Sequence, residues 1–126
     1  MVGPVEKLAA VIYYSLECCG TDVFGGRSEL HRFVYKMKEQ QPELFADFTF
    51  TQHPSEFSRE VEEALDILLN TQVIVPYDGL TRYHLTPEGK RYLEEKMLER
   101  IPVEILEEIK ETTYRLIETG ESEGFP

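Results

Sequence analysis

No stretch of about 18 consecutive apolar residues occurs in the 126-residue sequence, which excludes a membrane-spanning helix. Cysteine is nearly absent: there are two, Cys18 and Cys19, and they are adjacent. Neighbouring Cα atoms sit closer than disulfide geometry prefers, so no intrachain framework is available and reduced intracellular thiols are the simple reading. His31, His53 and His84 are scattered, with no CxxC or HxxxH spacing, so no metal and no cofactor is expected. Positive charge is scarce as well. Lys and Arg number 13 against 24 Asp and Glu, a net charge of −11. A body this acidic repels phosphate at long range, which excludes a histone-like coat on nucleic acid but leaves room for one local basic patch. The opening MVGPVEKLAA has no basic stretch ahead of an apolar one, so a signal peptide is not expected and a cytoplasmic location is. No internal repeat or low-complexity tract is visible.

Apolar residues make up 41% of the chain, enough for one compact core. Residues 4–19 read as a helix, with Pro4 in the first turn, Val5, Leu8, Ala9, Ile12 and Leu16 as its stripe, and Gly20 as its stop. The following GTDVFGG reads as a loop. Ser28 is a plausible cap for a second helix reaching Gln40, with Leu30, Phe33, Val34 and Met37 on one face. DFTFTQ alternates and favours a short strand or extended segment. Ser55 or Ser58 caps a third helix ending at Asn70, with Val61, Ala64, Leu65 and Leu68 inward. A hairpin follows, residues 73–77 with 81–86, turning at Asp78-Gly79-Leu80 and placing Pro76 on an edge or bulge. Thr86-Pro87 opens a fourth helix holding Tyr92, Leu93, Met97 and Ile101, and Pro102 divides it from a fifth.

Three helices and then a hairpin is the order of a winged helix-turn-helix, in which the third helix keeps one face free for the major groove. The expected fold class is α+β, mostly α: a winged helix-turn-helix with a two-stranded wing and additional C-terminal helices. The domain would span 1–101, with a C-terminal helix at 102–119 packing on it or in a dimer, and a flexible tail at 120–126.

GGRSELHRFVYKMKEQ is similar to the GRTKLQKLVYLL-type helix of the YwgA-like winged-helix proteins of archaea and bacteria, themselves distantly similar to the SocA-like (Panacea) antitoxins. FSREVEEALDILLNTQVI resembles that family's YSRELEEALDLLLxxGLI-type helix and first wing strand. The likeness covers about residues 25–86. Where the family commonly has Gly-Pro-Tyr before the capping serine, this chain has Pro54-Ser55-Glu56-Phe57. The resemblance implies a regulatory or interaction role and supplies no catalytic residues.

Candidate DNA contacts are Arg27, Arg32, Lys36 and Lys38 on the second helix, Arg59 at the start of the third, and Arg82 and His84 on the wing. Against DNA stands the third helix itself, whose outer face carries Glu62, Glu63 and Asp66. Three carboxylates in a groove meet phosphate repulsion, and a basic protein partner suits them better. His53 and Ser55 share a loop, but one histidine beside one serine with no third group is not a triad, and no enzyme is expected. In the fifth helix, Ile105, Ile109, Thr112 and Leu116 follow the spacing of a short coiled-coil seam and are candidates for a homodimer contact. The composite expectation is a non-enzymatic winged-helix regulator. DNA binding is placed slightly ahead of an acidic protein-interaction module of antitoxin or adaptor type.

Overall fold

The computed structural model describes residues 2–52, 55–79 and 81–126. It is mostly helical, 59% helix, with one small antiparallel sheet of three strands. No helix among the described residues is long and apolar enough to cross a membrane.

Helix α1 (Pro4–Cys19) begins with proline in its first turn and ends at Gly20, whose φ of 66° lets its N–H reach the carbonyls of Leu16 and Glu17. Leu8, Ala9, Ala10, Val11 and Ile12 are buried around most of its circumference, so α1 is the central helix. The segment expected as a loop then forms a strand, β1 (Val23–Gly25). Helix α2 (Arg27–Gln40) follows at once, two residues earlier than expected: Gly26 occupies the N-cap and Ser28 lies inside the first turn. Residues 48–51 are an extended segment, the second of the two expectations, and not a paired strand. Phe48 is buried against Phe45, Phe50 lies edge-on to Tyr35, and the extended stretch makes only a single bridge, Thr51 with Phe57. Its alternation satisfies two separate apolar sites instead of one sheet face.

Helix α3 (Arg59–Asn70) is capped by Ser58, whose hydroxyl accepts the Val61 N–H. Strands β2 (Ile74–Tyr77) and β3 (Arg82–Leu85) pair antiparallel, Ile74 opposite Leu85 and Tyr77 opposite Arg82. Asp78 and Gly79 take positive φ in the turn. The sheet order is β1-β3-β2, so Pro76 lies in an edge strand, where a missing N–H leaves no ladder bond unmade. The third strand was hidden because β1 spans three residues and only Phe24 of the three is fully buried, too little for an alternating pattern.

Thr86 caps helix α4 (Pro87–Tyr92), accepting the Gly89 N–H at 2.9 Å. A side-chain carbon at Gly89 would lie 2.0 Å from the Val73 carbonyl oxygen, so glycine lets the helix seat against the chain entering β2. The helical path continues through a π turn (Leu93–Met97) and a 3₁₀ turn (Leu98–Arg100) to Pro102. Helix α5 (Val103–Glu118) then lies along α1.

Two expectations about the C-terminal part are corrected. Ile109 and Leu116, offered as a dimer seam, are 0% and 1% exposed within the chain itself, and Ile105 packs partly buried against the same core. A two-fold through Ile109 and Leu116 has no free apolar surface to bury, because α1 already covers it. The tail at 120–126, expected to fray, carries Phe125 into the core at 2% exposure.

Candidate functional site

The facing surfaces of α2 and α3 hold the densest set of charged and polar interactions. Arg27 and His31 are four residues apart on α2 and share one face. Arg27 pairs through Nη1 with Glu62 and through Nη2 with Asp66, the latter at 3.2 Å. Burial works against the guanidinium charge, but Asp66, Tyr83 and Glu62 outweigh it and hold its pKa above the ordinary value. His31 is 3% exposed. Its Nδ1 accepts the Ser58 N–H at 3.0 Å, which places the ring proton on Nε2, 2.9 Å from Glu62 Oε1. The ring stacks on Phe57 at 4.8 Å. Every polar atom of this buried imidazole is therefore matched, and the ring fixes the start of α3.

Glu60 reinforces that start from the other side. Burial raises its pKa, but the Thr49 N–H and hydroxyl, both at 2.9 Å, and the Ser58 hydroxyl at 3.1 Å donate to it and bring the net shift below the ordinary value of 4.5. A carboxyl depressed in the folded state adds stability above its unfolded pKa and loses it as pH falls through the folded one. Glu60→Gln is thus expected to cost about 1 kcal/mol at pH 7. That difference from wild type should close in urea titrations repeated on the acid side of 4.5.

The candidate DNA contacts do not converge. Arg27 is held by Glu62 and Asp66. Lys38 donates to the Phe48 carbonyl at 2.6 Å, Arg32 lies 3.7 Å from Glu123, and His84 lies 3.1 Å from Asp22. Arg59 and Arg82 are exposed and Lys36 is half-buried, on three different elements. The acidic candidates divide: Glu62 turns inward to Arg27 and His31, whereas Glu63 and Asp66 are exposed. Beside them is Ile67, 44% exposed, which the helical pattern gave no reason to single out. His31 entered the sequence reading only as one of three scattered histidines. Its place four residues after Arg27, on the edge of the apolar stripe, was the available signal.

Of the loop residues His53 and Ser55, His53 lies outside the described residues. Among the described residues no group of three His, Cys, Asp or Glu could hold a metal ion. Burial and then Cys19 push the Cys18 thiol up, away from a reactive thiolate. Comparison with protein-family models, with curated proteins and with solved structures finds no match.

Proposed function

We propose that the chain is a non-enzymatic winged-helix module that binds a protein with a basic surface through the outer face of α3. The observation that carries this reading is the neutralisation of Arg27 within the fold. The α2 cation that faces α3 is spent on Glu62 and Asp66, and what remains outward beyond Arg59 in the first turn is Glu63, the solvent side of Asp66, and Ile67. Such a face meets repulsion in a DNA groove and attraction from Lys and Arg, with Ile67 as an apolar centre. The winged-helix assignment is supported by the element order α1-β1-α2-α3-β2-β3 and the sheet order β1-β3-β2, together with the resemblance of residues 25–86 to the YwgA-like helices. Fold alone would favour DNA equally, so the reading rests on the charge of α3.

Two measurements on the full chain test it. Titrated with random duplex at physiological salt, the protein is expected to bind more weakly than about 10⁻⁴ M, the weak limit of ordinary non-specific DNA binding. A photo-crosslinking residue at position 67 is expected to give a protein adduct in native cells, reduced at least about tenfold by Glu63→Lys. Micromolar duplex binding whose salt slope falls by about one on Arg59→Ala would instead establish the DNA reading.

A further inference from the structure

On a different side of the molecule, the π turn after α4 widens the helical path, and a groove of about 750 Å³ opens between α1, that turn and α5. Its floor is apolar: Leu98, Ile101 and Leu106, with Val103 at the rim, at 70% the most exposed large hydrophobic among the described residues. Around it stand Glu17, Glu94 and Glu99, against one lysine, Lys110, which lies 5.8 Å from the centre of the Tyr14 ring.

We propose that this groove receives a basic amphipathic helix of another protein, its apolar residues against Val103 and Leu106 and its lysines or arginines against Glu94 and Glu99. The argument is charge complementarity over an apolar floor. Glu99 forms no ion pair among the described residues, and Glu94 is met only by the Tyr13 hydroxyl, which donates at 2.6 Å. Burial, then the nearby glutamates, raise Tyr13 and Tyr14, and Tyr114, donating to Glu17 at 2.7 Å, is pushed up to about 12. The local backbone adds a second indication, because π turns inside helices recur at functional sites. The groove is broad and open, which suits a helix laid along it better than an enclosed small molecule. It includes no residue of α3, so it stands or falls independently of the reading above.

The test uses the full chain and a labelled synthetic helix of Leu and Lys, with Leu at i, i+3, i+4 and i+7. Glu99→Lys and Val103→Ser are solvent-exposed changes that leave the core untouched, which circular dichroism verifies. Each is expected to weaken binding about five- to tenfold, whereas Glu63→Lys on α3 changes it less than about twofold. Amide shift changes should centre on Glu94, Leu98 and Leu106. A matching peptide with Ser in place of Leu should lose the binding. Equal weakening by Glu63→Lys and Glu99→Lys would reduce the effect to general attraction by an acidic protein and overturn the proposal. So would an unchanged affinity in both groove variants, equal binding of the serine peptide, or no binding of the probe at millimolar concentration.

Discussion

Replacing Ile109 by Asp is expected to unfold the chain, not to split a dimer. The side chain is 0% exposed, on the face of α5 that lies along α1. The substitution removes the branched hydrocarbon from a packed site and puts a carboxylate there with no cation beside it. Loss of packing and burial of an unmatched polar group together cost at least about 4 kcal/mol, a large part of the 5–15 kcal/mol that holds a typical domain. Thermal melting followed by circular dichroism should show the cooperative transition lost or shifted far down. Val103→Asp is the matched control. Its site is 70% exposed in the first turn of the same helix, and the change should stay within about 0.5 kcal/mol. A variant at 109 that melts like wild type but sediments at half the mass would show that α5 leaves α1 to form a seam, contrary to the packing described above.

That residue also shows where the sequence was legible and where it was not. The helical period placed Ile109 and Leu116 on one buried face of α5 correctly, because a 3.6-residue repeat of apolar side chains has few other uses. What buries the face is a long-range fact. A stripe that fits α1 of the same chain is written identically to one that fits a second copy. The same division runs through the site. The cap at Ser58, the hairpin register and the amphipathic split of α3 follow from local rules of spacing and turn chemistry. The pairing of Arg27 with Glu62 and Asp66 joins residues 35 and 39 positions apart, so side chains offered separately to phosphate and to a partner turn out to neutralise each other. Strand β1 was missed for a related reason. A three-residue strand has no period of its own and exists because β3 presents an edge to it.

Phe125→Ala is expected to destabilise the fold by about 3–4 kcal/mol, although the residue is next to last. Its ring stacks on Phe33 of α2 at 4.8 Å and meets Phe24 of β1 edge-on at 6.0 Å, at 2% exposure. Phe24 in turn lies 5.4 Å from Tyr83 of β3, so the tail closes an aromatic stack running from the sheet to α2. Glycine, serine and glutamate around it gave the segment the composition of a frayed end, and one aromatic near a terminus carries no periodicity to contradict that. Truncating the ring leaves a cavity beside Phe33 and Phe24, and it removes the lateral support of a strand only three residues long. The urea midpoint should therefore fall with the m-value unchanged, and hydrogen-exchange protection at the β1 amides should fall further than at α1. Glu121→Ala, in the same segment but exposed, should shift the midpoint by no more than about 0.5 kcal/mol. The Arg32–Glu123 pair cannot substitute for the lost ring, since both partners are more than a third exposed and such pairs contribute at most about 1 kcal/mol. Equal, negligible effects of Phe125→Ala and Glu121→Ala would mean that the tail does not hold the sheet to α2.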